Sequence, residues 1–354
     1  MNSLKGTIHI VIPVYHPPEA LFRACLDSVV KQTHSDFVCI LVDDGSTPGI
    51  AAICDETAAN DKRFSVIHKK NEGTNYARRD GVAFALKDGA NALTFVDSDD
   101  TIEPGFLAYF MGHLTSDEPT IAYCGATMIE KGERIPLNQE LSGCEISRDK
   151  DEILTAVVST THPRFGARWS LCMGGYSASL FKDIDWDLSR VKIGEDNLIS
   201  LLVAAKCKVA VYSPKPLYNY IRQSDSVTLN ASSFERLEYW YAIMSRIRCY
   251  LEQNGLFSKR IADVMDADMA SHHFSMLLFM AGRKHNYVTF SHYCRTLRDM
   301  KILTMMSLSP RQGMVVALIR IPLLGTPLCY IFHYVWCRLS YVVRAVLGKN
   351  KKKR

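Results

Sequence analysis

Three carboxylates interrupted by one serine close an apolar run: Ala92–Val96 leads into Asp97-Ser98-Asp99-Asp100, and Pro104-Gly105 breaks the chain beyond. Carboxylates crowded at the end of a buried strand repel one another and cost stability unless something cationic sits among them. Their hard oxygens suit Mg²⁺ or Mn²⁺, ions that take one or two protein carboxylates and leave their other positions to substrate phosphates. A solvated acidic turn is the competing reading of these residues. A second acidic pair, Asp43-Asp44, follows the apolar run Phe37–Val42 and precedes Gly45-Ser46. A third, Glu195-Asp196, opens the run Asn197–Lys206 after Gly194, where negative charge complements the start of a helix.

Chemistry of this kind needs elements that bring the clusters together. Thr7–Val14 reads as a strand buried on both faces, ending at Pro13 and Tyr15, and Pro17-Pro18 turns the chain. A helix is predicted from Glu19 to about Gln32, with Leu21, Cys25, Leu26, Val29 and Val30 on one face. Phe37–Val42 is a second buried strand. Ser46 or Thr47 is placed to cap the next helix, with Pro48 in its first turn. A third strand at Phe64–His68 and a helix from Asn75 to Lys87 lead to the Ala92 strand. Strands alternating with helices predict an α/β layer fold with a mainly parallel sheet, whose ligands bind at the carboxyl ends of the strands. Two acidic clusters and an aromatic residue on that one rim predict a nucleotide site.

The chain has 354 residues, 47% hydrophobic and 22% charged, enough for a large core or two domains. Its 11 cysteines form no CxxC pair and lie in apolar runs, as expected of reduced, buried thiols in a cytosolic protein. No signal peptide is expected, since the first apolar run is short and closed by prolines. The net charge of +5 is uneven: Met300–Arg354 holds 10 Lys and Arg and no acidic residue, against 32 basic and 37 acidic residues elsewhere.

Four blocks carry a resemblance: IVIPVYHPP, SVVKQTHSDFVCILVDDGST, NEGTNYARRDGVAFAL and LTFVDSDDTIEP. In order and spacing they resemble the nucleotide-binding half of family 2 glycosyltransferases with the GT-A fold, of the bacterial cell-surface polysaccharide and lipopolysaccharide type. The resemblance implies that Pro13 and Tyr15 flank the nucleotide base, with Tyr15 stacking on it. It implies that Asp43 or Asp44 accepts a hydrogen bond from the base edge while the other does turn work. Arg78 then faces the diphosphate, and Asp97 and Asp99 fill the DxD positions that hold Mn²⁺ or Mg²⁺, Asp97 also lying near the ribose. Asp100 is left as a helix cap or an outer support. Glu195-Asp196 matches the acidic element whose carboxylate deprotonates the acceptor, with Asp196 as base and Glu195 as its alternate or an acceptor-orienting group. The chain departs from the family at Arg78-Arg79-Asp80, where Arg-Asn is usual, and at Met173-Gly174-Gly175, where a basic residue is common.

Elsewhere the pattern is plainer. Ile121–Met128 reads as a strand, Lys131–Arg148 as a loop, Asp149–Ser159 as a helix and Lys208–Tyr212 as a strand. Leu217–Thr228 resembles the family's closing segment. Helices are predicted from Ser232, with a capping box to Glu235, up to Asn254, and from Ser258 to about Ala281, where His272 and His273 are packing or surface residues. The largely apolar stretch Met314–Leu347 has a charge-free run of 17 residues with two prolines, short of the roughly 20 apolar residues a spanning helix needs. With the basic tail it reads as a region lying on an anionic membrane surface.

The expected architecture is an α/β GT-A (Rossmann-like) mixed, mainly parallel sheet flanked by helices, followed by a C-terminal helical membrane-associating region. Its parts are a catalytic domain over residues 1–230 (a nucleotide-sugar half 1–110 and an acceptor half 111–230), a helical extension 231–300, and the basic hydrophobic region 301–354. The expected activity is inverting, metal-dependent, non-processive transfer from a nucleotide sugar, a UDP-sugar by the resemblance, to a lipid-linked or lipopolysaccharide glycan. The expected place is the cytoplasmic face of the cell membrane, attached peripherally. A nucleic-acid partner is not expected, because no aromatic-basic recognition motif accompanies the tail. The rivals are a non-catalytic membrane scaffold of the same fold and a nucleotidyltransferase, for which IPVYHPP lacks the glycine-rich, lysine-bearing phosphate loop.

Overall fold

The computed structural model describes residues 4–137, 142–159, 170–186, 195–222 and 233–268. Its centre is β1 (Ile8–Val14), in which all seven residues are buried. It pairs in parallel with β2 (Phe37–Asp43), Ile8 opposite Phe37 and Val14 opposite Asp43. Between them in sequence lies α1 (Glu19–Val30). The helix α2 (Pro48–Asn60) leads to β3 (Phe64–His68), parallel to β2. Then α3 (Thr74–Lys87) crosses back to β4 (Ala92–Phe95), which pairs in parallel with the other side of β1. A central strand covered on both faces has no solvent side, so its sequence is continuously apolar rather than alternating. The contact of α3 with this layer is close. A Cβ on Gly81 would meet Val11 Cγ1 at 2.4 Å, so only glycine lets the helix approach so near.

The sheet continues through β5 (Thr101–Ile102), α4 (Phe106–His113) and β6 (Thr120–Glu130), then β7 (Glu133–Leu137) and β8 (Glu145–Ser147). After α5 (Lys150–Val158) come β9 (Gly174–Ser177), α6 (Glu195–Lys206) and the 13-residue β10 (Val209–Ile221). The strand order is β3-β2-β1-β4-β9-β6-β10-β5, with β7 beside β6 and β8 beside β10. Parallel pairs occupy the first half, and β9 enters antiparallel to both β4 and β6. This is the mixed α/β sheet expected of a GT-A-like fold.

Two expectations are corrected. Lys131–Arg148 is not a plain loop, since β6 and β7 form a hairpin and β8 pairs with β10. Lys131 and Gly132 both take positive φ, 51° and 84°, the conformation of a tight hairpin turn. Pro136 is tolerated because β7 lies on the exposed outer side of β6, where a missing N–H costs little. The last strand also runs beyond Tyr212 to Ile221, crossing Pro214 and Pro216 by shifts of register against β6. Gly132, Pro136 and Gly143 in the first segment, and Pro214 and Pro216 in the second, mask the alternation that would have shown them as strands.

Of the cysteines in the described residues, Cys25, Cys39, Cys54, Cys124, Cys172 and Cys207 are buried free thiols, while Cys144 and Cys249 are exposed. Burial pushes the Cys54 thiol up to about 12 and Cys207 up to about 11, so neither is a ready nucleophile.

The helix α7 (Ser233–Gln253) follows, and residues 259–268 are helical. The chain divides into two compact units, Met1–Ser232 with Ala242–Ile261, and Ser233–Tyr241 with Ala262–Arg354. The end of the closing segment, the predicted helix beyond residue 268 with His272 and His273, and the basic region 301–354 lie outside the described residues. No described helix is long and apolar enough to cross a membrane.

Candidate active site

The carboxyl ends of β1, β2 and β4 lie side by side, and the chemistry-bearing residues follow them. Pro13 is buried at the end of β1, opposite Val42. Tyr15 is 53% exposed, its ring 4.2 Å from that of His16. His16 has φ +47°, and it is tied to the β2–α2 turn: its N–H donates to Ser46 Oγ at 3.3 Å and its Nδ1 accepts from Thr47 N–H at 3.2 Å. The aromatic pair therefore stands on a fixed turn with the Tyr15 face open. Ser46 Oγ in turn donates to the Val14 carbonyl at 3.2 Å.

The two aspartates at the end of β2 have different work. Asp44 is buried, and its carboxylate accepts the N–H groups of Glu72 (3.0 Å) and Gly73 (2.8 Å), pinning the loop that starts α3. Asp43 accepts Ser46 N–H at 2.8 Å through Oδ1, and its Oδ2 lies 2.8 Å from His68 Nδ1. His68 Nε2 lies 3.0 Å from Asp55 Oδ1 on α2. Burial opposes ionisation of Asp43, but the His68 and Ser46 contacts outweigh it and hold the carboxylate below its usual range. The hydrogen bonds to Asp43 and Asp55 raise His68 above the usual imidazole range.

Arg78 is 3% exposed on the inner face of α3. Its Nη2 donates to Asp97 Oδ1 at 2.8 Å, and its Nη1 donates to Asp196 Oδ1 on α6. A planar guanidinium offers two terminal nitrogens in a fixed fork, which suits it to bridge two carboxylates. Asp97 and Asp196, 99 positions apart in the chain, thus meet across one side chain. Glu195 is the first residue of α6. The far end of that helix is anchored by Lys150, whose Nζ donates to the carbonyls of Ala205 (2.8 Å) and Cys207 (2.5 Å). Burial pulls this amine below its usual range, while the carbonyls at a helix C-terminus favour a cation.

Asp97 and Asp99 are half-buried, and Asp100 is buried. Asp100 turns away from the other two, accepting from Tyr218 Oη at 2.6 Å and Ile221 N–H at 2.7 Å on β10. The Tyr218 hydroxyl also accepts Asp97 N–H at 3.3 Å. Burial, with Asp97 nearby, pushes the Asp100 carboxyl well above its usual range. Asp100 therefore anchors the turn from behind and caps no helix. Sequence reasoning marked the segment of Tyr218 but not its contact with Asp100, and it missed His68, whose neighbours carry no signal.

The two departures from the family pattern have structural explanations. Arg79 lies over Tyr76 (4.9 Å) and donates to Asp80 at 2.8 Å, and Asp80 accepts from Lys69 at 2.5 Å. These residues tie α3 to the end of β3. Gly175 packs on Phe110, whose ring leaves no room for a Cβ (2.3 Å).

Among the described residues no group of three His, Cys, Asp or Glu side chains is arranged to hold a metal ion. Asp97 and Asp99 offer two carboxylates at one turn, a donor set that suits a hard divalent ion sharing its remaining positions with phosphate oxygens.

Comparison with known proteins agrees with this architecture. Residues 9–172 match the model of the family described as glycosyl transferase family 2. The glycosyltransferase GlyA of Streptococcus pneumoniae is 29% identical over 215 residues, 60% of this chain and 30% of GlyA. The chain thus spans less than a third of that relative's length. Among solved structures, S. aureus TarS 1–349 in complex with UDP-GlcNAc is 18% identical with a TM-score of 0.63, covering 95% of this chain and 91% of that one. The mannosyltransferase PcManGT of Pyrobaculum calidifontis, in complex with GDP-Man and Mn²⁺, is 13% identical with a TM-score of 0.52, covering 98% and 88%. At these identities the two structures speak for the fold.

Proposed function

We propose that this chain, which carries a glycosyl transferase family 2 domain, moves a sugar from a UDP-sugar to a hydroxyl of a membrane-linked glycan, with inversion, in cell-surface polysaccharide synthesis. The observation that carries the reading is the meeting of Asp97, Arg78 and Asp196 on the rim where Tyr15 and Asp43 also stand. The UDP-GlcNAc complex of the TarS neighbour supports the choice of donor. The basic, acid-free stretch 301–354 supports a membrane-linked acceptor and peripheral attachment.

In this reading the base stacks on Tyr15 beside Pro13, and Asp43 accepts a hydrogen bond from its edge, while Asp44 holds the loop before α3. Arg78 meets the diphosphate. Asp196 takes the proton of the acceptor hydroxyl as its oxygen bonds to the anomeric carbon, with Glu195 beside it as an acceptor-orienting group. The bond from that carbon to the phosphate oxygen breaks, and its electron pair leaves with the diphosphate. Asp97 and Asp99 would hold Mn²⁺ or Mg²⁺, whose chemistry when bound is to offset the leaving group's charge.

Calorimetric titration of UDP with and without Mn²⁺, beside Asp99→Ala, tests the reading. Binding that needs both the metal and Asp99 is the expected result. No binding of any nucleoside diphosphate under either condition overturns it, and leaves a scaffold of the same fold.

A further inference from the structure

His68 stands outside the machinery described so far, yet it touches it. It is the last residue of β3, and its two ring nitrogens face two carboxylates on two other elements: Asp43 Oδ2 on β2 at 2.8 Å and Asp55 Oδ1 on α2 at 3.0 Å. A neutral imidazole has a single N–H and serves only one such partner. Only the imidazolium donates to both. The other groups around it leave this pair in control. Cys54, the neighbouring thiol on α2, is held neutral by burial at about 12. The next residue in the chain, Lys69, has its ammonium engaged by Glu72 (2.7 Å) and Asp80 (2.5 Å).

We propose that His68 is the positioning residue of the nucleobase subsite, and that its charged form orients Asp43 toward a base that presents an N–H donor. The inference rests on the reading of Asp43 given above. With Oδ1 held by Ser46 N–H and Oδ2 by His68, the carboxylate plane is fixed from both sides. Each carboxylate oxygen keeps a second acceptor site for the base edge. A uracil or guanine ring offers an N–H there, whereas the matching ring nitrogen of cytosine or adenine is an acceptor and meets like polarity. Loss of the His68 proton leaves one of its two carboxylates without a donor, so Asp43 is held less firmly and nucleotide affinity falls as pH rises. The contacts with Asp43 and then Asp55 place that fall above the ordinary imidazole range.

The test titrates UDP, with Mn²⁺ or Mg²⁺ present throughout, into the full chain by calorimetry from pH 6.5 to 9, for the unaltered protein, His68→Gln and Asp55→Asn. The unaltered protein is expected to lose about fivefold in affinity across the range, equivalent to about 1 kcal/mol. His68→Gln is expected to bind about fivefold more weakly at pH 6.5, with a flat profile. Asp55→Asn keeps tight binding at the acidic end and moves the step to lower pH, because one of the two carboxylates that raise His68 is gone. A merely structural histidine would move overall stability and leave the pH profile in place. Equal affinity and an unchanged profile in His68→Gln overturn this proposal and leave the donor reading intact. Absence of UDP binding to the unaltered protein at every pH overturns both.

Discussion

Arg78 on α3 and Asp196 at the start of α6, 118 residues apart in the chain, form one ion pair, and the same guanidinium holds Asp97. The contact joins the first part of the sheet layer, through α3 and the end of β4, to α6 of the later part. The contact engages Oδ1 of Asp196, and a carboxylate has further acceptor sites on both oxygens. In the function proposed above, a bound diphosphate competes with Asp196 for the same guanidinium.

This bridge predicts that Arg78→Ala and Arg78→Lys differ. Alanine strands two partly buried carboxylates, and a loss of about 3 kcal/mol in unfolding free energy is expected. Lysine keeps the charge but not the fork. Its expected signature is a smaller shift in denaturation midpoint with kcat still down by tenfold or more, on the order of 1.4 kcal/mol. Equal kcat in Arg78→Lys and the unaltered protein would count against the bridge.

Asp196→Asn is expected to lower kcat by about 10²–10⁴ while leaving the affinity for UDP within a factor of about two. Steady-state turnover and calorimetry on the same preparation separate the two effects. Should Glu195→Gln give the larger loss, the base is Glu195.

Asp44→Ala removes the acceptor for two backbone N–H groups at the start of α3. A loss of about 1–3 kcal/mol is expected, with a raised donor KM because the loop carries the helix of Arg78. Hydrogen exchange at Glu72 and Gly73 reads the effect directly. Protection there equal to that of the unaltered protein would refute the assignment.

Gly81→Ala sets a methyl group against Val11 Cγ1 at 2.4 Å. Overpacking of this kind costs about 1–3 kcal/mol, and urea denaturation measures it. A stabilised variant, as expected of alanine in an open helix position, would show that α3 does not approach β1 so closely.

A pH effect on stability is expected at Asp61, whose carboxylate takes Arg63 Nε at 3.0 Å and Nη2 at 2.6 Å. The Arg63 hydrogen bond, offset in part by burial, lowers this carboxyl in the folded protein. A lowered acid contributes stability that is present above its unfolded value, about 4, and is lost as pH falls through its folded value. The gap between Asp61→Asn and the unaltered protein, about 0.5–1 kcal/mol at pH 6, therefore closes on acidification. A gap that stays constant down to pH 2.5 rules out this ion pair as its source.

Local sequence determined much of this protein. Continuous apolar runs at Ile8–Val14 and Phe37–Val42 mark strands buried on both faces, and carboxylates placed at the end of such a strand (Asp43) or just past it (Asp97) come to the rim. Strand, rim and helix start are properties of a few neighbouring residues, so they can be read without the fold. Partnership is not such a property. Arg78 carries the same charge wherever it sits, and only the long-range placement of α3, the end of β4 and α6 brings Asp97 and Asp196 to the one guanidinium. The same holds for Asp43 and Asp44, adjacent and identical in type. Asp43, the last residue of β2, reaches His68, and Asp44, just beyond the strand, reaches the loop before α3, and β3 and that loop are brought there by long-range pairing. Tertiary structure likewise drew Asp100 back to Tyr218 and built strands across Pro136, Pro214 and Pro216, where edge position and register shifts outweigh local preference.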